Sequence, residues 1–266
     1  MNRQDSTIYK VFMILYPLAL YFLMDVLIVW AAEYLVSAFA AVQPESFLAH
    51  NTQAIAAVVF LVITIPVFYR IYKKDYVDAS EWIYSKPGYF ALLALIGILA
   101  SHGLSALVTL MGVDSLAGNY SEIEEAVFAA SPVLVILQTV VLAPLSEELL
   151  FRGLLYNRLR RYLNGFWLPA LISSAIFGLY HFNLAQGIFA FLFGLLLCAA
   201  YDKIRNLWAC IALHVGGNLV SVILSYVGFT YPEVWICIIA MAASLAAAWA
   251  MYHFLIRPLR EKTKNI

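Results

Sequence analysis

Charged residues are scarce in this chain. Lys, Arg, Asp and Glu make up 12% of the 266 residues and hydrophobic residues 64%, whereas a typical soluble domain has about 25% charged residues. One water-soluble core of this length cannot enclose so much apolar surface, so we expect the chain to lie in lipid. In lipid, every backbone N–H and C=O must be paired within the protein, which leaves helices or a closed barrel. Apolar runs long enough to cross a bilayer, which takes about 20 residues, favour helices.

Net charge and cysteine motifs are also lacking. The 16 basic and 16 acidic residues balance, so the chain has no basic footprint for nucleic acid. Cys198, Cys210 and Cys237 lack CxxC spacing and are interpreted as packing residues. A cleaved signal peptide is not expected, because the first apolar segment, from Val11 to about Ala32, exceeds the usual signal-peptide core of about 7–15 residues.

The apolar pattern predicts an all-α, polytopic membrane bundle of about eight transmembrane helices. We treat residues 1–266 as a single integral membrane domain. The predicted spans are 11–34, 54–72, 88–111, 132–152, 167–183, 187–202, 207–228 and 233–256. Between the second and third spans, Lys73–Lys86 mixes charged and aromatic residues and fits either an interfacial helix or a connecting loop.

All Lys and Arg residues fall on one side of this eight-span arrangement. They precede span one, follow span eight, or lie at the ends of spans two and four and in the loops after spans two, four and six. The opposite loops carry acidic residues and no basic ones: Glu45, Asp114, Glu122, Glu124, Glu125 and Glu233. Because cytoplasmic loops are enriched in Lys and Arg, we predict that both termini are cytoplasmic.

Span four ends in a group of ionisable residues, which are rare at membrane depth and usually face a protein interior or a water-filled cavity. Glu148 and Arg152 are four residues apart and can pair on one helical face. Glu147 lies about 100° around the helix and points elsewhere. Taken alone, this pattern also fits an interfacial ion pair at a helix end, with Arg152 reaching toward water.

Two later spans carry polar residues at helical spacing. Phe177 and His181 lie one turn apart on span five, where a lone histidine is more often structural. His214 and Asn218 share a face of span seven and could instead form an interhelical hydrogen-bonding pair. Together with Glu147, however, these residues suit hydrolysis of an amide bond. A glutamate can activate water, two histidines can hold it directly or through a metal, and an amide can stabilise an oxyanion.

At these residues the chain resembles the CPBP intramembrane proteases. That family includes the type II CAAX prenyl endopeptidases and the bacterial Abi proteins. Its pattern of EExxxR, FxxxH and HxxxN on successive helices matches 147–152, 177–181 and 214–218, in order and at every motif position. The motif-bearing helices cover about residues 132–228, and the resemblance does not extend to the preceding part of the chain.

The resemblance implies a role for each matched residue. Glu147 would activate the catalytic water, His181 and His214 would position it or bind a metal, and Asn218 would stabilise the oxyanion. Three residues would support the site: Glu148, Arg152 and Phe177. No cofactor is certain. One divalent metal such as zinc could be held by Glu147, His181 and His214, and a metal-free mechanism would use the same residues.

We therefore predict an intramembrane endopeptidase that acts on a membrane-associated or lipidated protein or peptide within the lipid bilayer. The compact loops favour a bacterial cell membrane. One alternative is a non-proteolytic membrane scaffold or bacteriocin-immunity-type protein on the same fold, which would not need intact motifs. Another is a small-solute transporter, against which the lack of internal repeats argues.

The depth of His181 in span five and the position of Asp25 in span one need separate explanations. If span five starts near Trp167, His181 lies about 21 Å along its axis, far from Glu147 in upright helices. The single-site hypothesis then needs a later start or a strong tilt. Asp25, deep in span one, is predicted to make an interhelical hydrogen bond.

Overall fold

The computed structural model describes residues 6–75, 88–113, 127–231 and 233–253. Within these ranges the chain is helical and contains no strand. The helices are α1 (Thr7–Ala40), α2 (Phe47–His50), α3 (Thr52–Asp75), α4 (Gly88–Leu110), α5 (Pro132–Tyr162), α6 (Trp167–Tyr180), α7 (Leu184–Ile204), α8 (Leu207–Tyr226) and α9 (Val234–Met251). Most of the proposed interfacial segment Lys73–Lys86, and the acidic stretch 114–125, lie outside the described residues.

Seven of these helices are long and apolar enough to cross a membrane: α1, α3, α4, α5, α7, α8 and α9. A polytopic helical bundle in the membrane is therefore confirmed. Predicted span five differs, because α6 has only 14 residues. At about 1.5 Å per residue it is about 21 Å long, shorter than the hydrocarbon core of about 30 Å. The orientation of the termini stays a prediction.

The chain divides into two compact units. One contains Met1–Tyr76 and Glu122–Pro169, and the other contains Val77–Ser121 and Ala170–Ile266. This division separates the sequence motifs. Glu147, Glu148 and Arg152 belong to the first unit, whereas Phe177, His181, His214 and Asn218 belong to the second.

In the first unit, Tyr21 joins α1, α3 and α5. Its ring is fully buried and packs edge-on against Phe60 and Phe68 of α3, at centroid distances of 5.1 and 5.4 Å. The hydroxyl of Ser146 on α5 donates a hydrogen bond to the Tyr21 hydroxyl at 3.1 Å. Ser146 is itself fully buried, so this bond satisfies a polar group that water cannot reach.

A buried arginine connects α1, α3 and α5 by polar contacts. Arg158 of α5 forms an ion pair with Asp75 of α3 at 2.5 Å. It also donates to the Tyr16 hydroxyl at 2.9 Å and to the carbonyl oxygen of Met13, both on α1. A guanidinium has several donors in a fixed plane, which lets this one side chain bind three residues on two other helices at once.

The second unit is built on a close approach of α4 and α8. A Cβ at Gly97 would lie 1.9 Å from the carbonyl oxygen of Leu213, and a Cβ at Gly216 would lie 1.9 Å from that of Ala94. Small residues therefore allow these two helices to touch along their backbones, as they do in membrane helix pairs. Ser101 donates to the Gly217 carbonyl at 3.0 Å across the same interface.

Polar and sulfur contacts also join α4 to α9. His102 and Ser244 are hydrogen-bonded at 2.8 Å through Nδ1 and Oγ, and the Cys237 thiol donates to the Ala106 carbonyl at 3.3 Å. Cys237 is buried, as are the other two cysteines of the chain. This burial agrees with their interpretation as packing residues.

Candidate active site

The helix that carries the two adjacent glutamates is irregular on both sides of them. Helix α5 is π-helical over Ile136–Leu142 and Leu149–Tyr156, and the intervening Ala143–Glu148 is α-helical. At the first junction the Ala143 N–H donates to the Gln138 carbonyl, five residues earlier. Pro144 then contributes no N–H, which disturbs the regular ladder of helical bonds. π-helical turns are rare and occur frequently at functional sites.

Glu148 and Arg152 form the predicted ion pair. Their Oε1 and Nη1 atoms are 2.9 Å apart, and both side chains are completely buried. Residues four apart on a helix lie on the same face, which brings these two side chains together. The pairing is thus confirmed, but Arg152 does not reach the interface. The alternative of an arginine extending toward water at the helix end is wrong.

Glu147 is buried in the first unit, with 9% of its surface exposed. It directly follows Ser146, whose side chain is hydrogen-bonded to Tyr21. Because this bond fixes the rotation of α5 at the preceding residue, the direction of the Glu147 side chain is constrained by packing with α1 and α3. Tyr21 and Ser146 were not predicted from the sequence, since nothing in a tyrosine of an apolar helix indicates which distant residue it contacts.

In the second unit, the structure brings the two motif histidines around one aromatic ring. The Phe177 ring centroid lies 5.0 Å from that of His181 and 5.9 Å from that of His214, with both ring pairs nearly perpendicular. The Phe193 ring centroid also lies 5.6 Å from that of His214. His214 is buried. The phenylalanine of the FxxxH motif therefore sets the spacing of the two imidazoles.

The proton position on His181 follows from its hydrogen bond. Nδ1 lies 2.9 Å from the carbonyl oxygen of Phe177, and a carbonyl can only accept, so Nδ1 carries the proton. In a neutral imidazole, Nε2 then presents its lone pair. A backbone carbonyl commonly orients histidines that bind a metal in this way, and the same lone pair could accept a hydrogen bond from water.

His181 lies in the turn after α6 rather than within a membrane-spanning helix, which corrects the predicted extent of span five. It is followed by Phe182 at a positive φ of 51° and by Asn183, whose side chain caps α7 by accepting from the Gln186 N–H at 3.1 Å. Asn218 is half-buried on α8, one turn after His214. Its proposed oxyanion role stays a prediction.

The single-site hypothesis needs groups from both units. The first unit supplies Glu147 and the second supplies His181, His214 and Asn218, and their convergence stays a prediction. Within the described residues of each unit, no three His, Cys, Asp or Glu side chains are grouped to hold a metal ion. Asp25 makes no hydrogen bond with the described residues, so the interhelical bond predicted for it is not found.

Comparison with known proteins supports the resemblance. Residues 129–220 match the family model described as Type II CAAX prenyl endopeptidase Rce1-like. This segment contains all three motifs, so the family resemblance inferred from them is confirmed. Together with the helices long enough to cross a membrane, it places the chain in the class of multi-pass membrane proteins with an Rce1-like segment.

Two curated proteins are similar to part of this chain. The Putative membrane peptidase YdiL of Bacillus subtilis is 31% identical over 98 residues, which are 37% of this chain and 39% of that protein. An Uncharacterized 24.3 kDa protein of Escherichia coli is 39% identical over 87 residues, 31% of this chain and 40% of that protein. The chain thus spans about two fifths of the length of these relatives. No solved structure matches it.

Proposed function

We propose that this protein is an intramembrane endopeptidase that hydrolyses a peptide bond in a membrane-associated or lipidated protein or peptide. The observation that carries the proposal is the Rce1-like match over residues 129–220, the segment in which all three motifs lie. The similarity to a protein named as a putative membrane peptidase supports the same reaction class, and the relatives in Bacillus and Escherichia support a bacterial membrane as its location.

In the proposed reaction, Glu147 takes a proton from a water molecule as the oxygen attacks the substrate carbonyl carbon. Nε2 of His181 accepts a hydrogen bond from this water, and His214 orients it further. The carbonyl oxygen becomes an oxyanion, which the Asn218 amide stabilises as a donor. The C–N bond then breaks, and Glu147 returns the proton to the leaving nitrogen. The products are a carboxylic acid and an amine, which become a carboxylate and an ammonium ion when the acid proton passes to the amine.

The supporting residues position the catalytic side chains and do not contact the substrate. The Glu148–Arg152 ion pair stiffens α5 directly after Glu147, and Phe177 holds both imidazoles by ring contacts. Each proposed step is assigned to a protein side chain. A zinc ion held by Glu147, His181 and His214 would need these three side chains to converge.

The alternative hypothesis, a non-proteolytic scaffold or immunity protein, accounts for fewer of these observations. A scaffold or immunity protein on the same fold would not need Glu147, both motif histidines and Asn218, all of which this chain carries. It would also not require a buried acid beside a second, ion-paired acid on α5. Catalysis by a positioned carboxylate and imidazole would use both arrangements.

The decisive experiment compares the purified wild type with Glu147→Gln in liposomes, on a library of membrane-derived peptides read by mass spectrometry. Removing a general base typically lowers the rate by about 10²–10⁴-fold, so we expect the cleavage products to disappear. Glu45→Gln is the matched control, because Glu45 is exposed and lies outside the motif helices. Its products should equal those of the wild type. Identical products from Glu147→Gln and wild type would refute the proposed function.

A further inference from the structure

Asp25 is an acidic residue near the middle of a membrane-spanning helix, and the proposed reaction does not use it. Helix α1 runs from Thr7 to Ala40, so at 1.5 Å per residue Asp25 lies about 27 Å from one end of the helix and about 22 Å from the other. A charge at such a depth is costly. Ionisable residues there usually pair with another polar group or mark the path of a substrate or an ion.

Asp25 lies on the side of α1 that packs within the first unit. The buried residues Tyr21 and Ala32 are four residues before it and seven residues after it, spacings that place all three on one helical face. Asp25 is half-buried, whereas the next two residues, Val26 and Leu27, are 65% and 56% exposed. Asp25 thus belongs to the packed face of α1, and the residues that follow it face outward.

Among the described residues, Asp25 has neither a hydrogen bond nor an ion pair. Arg152 is already bound to Glu148, and the other Lys and Arg residues that the structure describes lie near the ends of their helices. A second copy of the chain carries the same residues, so it offers no further cation at this depth. A basic partner for Asp25 must therefore come from a different molecule.

Asp25 also lies one turn from the contact that positions Glu147. The Tyr21 hydroxyl accepts from Ser146, the residue before Glu147, and Asp25 is about 6 Å further along α1. Helix α1 approaches residues 149–162 of α5 closely and the preceding part of α5 much less. The two helices therefore diverge beyond Tyr21, on the side of Asp25, and a segment of another molecule can lie between them.

From these observations we infer that Asp25 is a substrate-binding residue that selects a Lys or Arg side chain in the peptide to be cleaved. This inference rests on the proposed function, since the bound segment is the substrate of Glu147. An ion pair with the substrate neutralises the carboxylate at a depth where an unpaired charge is unfavourable. An extended chain advances about 3.3 Å per residue, so 6 Å corresponds to about two residues. The basic side chain should therefore lie about two or three residues from the cleaved bond.

The test measures kcat/KM of the full-length protein in liposomes for one cleaved peptide and its substituted forms. Each residue within three positions of the cleaved bond is replaced in turn by Lys or by Gln. The wild type should prefer Lys to Gln at one of these positions. Asp25→Asn should lower kcat/KM for that Lys peptide about 10- to 100-fold, as expected for losing a hydrogen bond to a charged group. The corresponding Gln peptide should be cleaved equally by both proteins.

Glu33→Gln is the matched control, because Glu33 is another half-buried acid on α1 but lies about 12 Å further along the helix. It should retain the wild-type kcat/KM for both peptides. The melting temperature of Asp25→Asn should be unchanged or higher, because the substitution removes a charge from the membrane interior and breaks no bond to a described residue.

Three results would overturn the inference. They are an equal kcat/KM for the Lys peptide in wild type and Asp25→Asn, an equal loss for the Lys and Gln peptides, and a lower melting temperature of Asp25→Asn, which would assign Asp25 a structural role. Failure of the proposed function itself would appear separately, as identical products from wild type and Glu147→Gln.

Discussion

Replacing Gly97 by alanine should destabilise the second unit strongly. The new Cβ would lie 1.9 Å from the Leu213 carbonyl oxygen, whereas such contacts essentially never fall below 3.0 Å. The clash is with backbone, so no side-chain rotation relieves it, and α4 must move away from α8. This movement also weakens the bond from Ser101 to the Gly217 carbonyl. Helix α8 carries His214 and Asn218, so their positions shift as well.

The expected decrease in the free energy of unfolding is the sum of two costs, the backbone clash and the weakened hydrogen bond. Overpacking of a close interface costs about 1–3 kcal/mol, and a backbone clash belongs at the upper end of that range. A weakened buried hydrogen bond adds about 1 kcal/mol. For a chain of this size, a total of about 3–4 kcal/mol corresponds to a fall of about 6–16 °C in Tm.

The assay is thermal unfolding of the purified protein in a mild detergent, with Gly88→Ala as the matched control. Gly88 is the first residue of the same helix, and a Cβ there meets no atom within 4 Å. Its replacement should leave Tm unchanged or raise it slightly, because alanine favours the helix by up to about 1 kcal/mol. Equal melting temperatures for the Gly97→Ala and Gly88→Ala proteins would refute the proposed backbone contact.

Two further substitutions test the first unit by the same unfolding assay. Arg152→Met leaves Glu148 buried without its ion-pair partner and should cost about 3–5 kcal/mol. An unchanged Tm would show that the pair is not buried as described. Tyr21→Phe keeps the ring but removes the hydroxyl that accepts from Ser146, so it should cost about 1–3 kcal/mol. The double variant with Ser146→Ala should cost less than the sum of the single changes, and simple additivity would argue against the bond.

The local parts of the candidate site were predictable from sequence. Glu148 and Arg152 lie four residues apart on one helix, so their pairing depends on helical geometry that any such segment adopts. The same reasoning correctly placed His214 and Asn218 on one helix. It did not place His181, because the end of α6 depends on a left-handed residue at Phe182 and a cap at Asn183, which a continuous apolar run conceals.

The amino-acid sequence alone determined that this is a multi-pass helical membrane protein with an Rce1-like group of motif residues. The physical reason is that apolar run length, charge placement and helical spacing are local properties, and lipid requires internal backbone pairing. Only the tertiary structure decided that His181 and His214 share the ring of Phe177, and that Tyr21 fixes α5 beside Glu147 through Ser146. It also decided that α4 and α8 meet along their backbones at Gly97. These contacts join residues far apart in the chain, and their geometry depends on how whole helices pack.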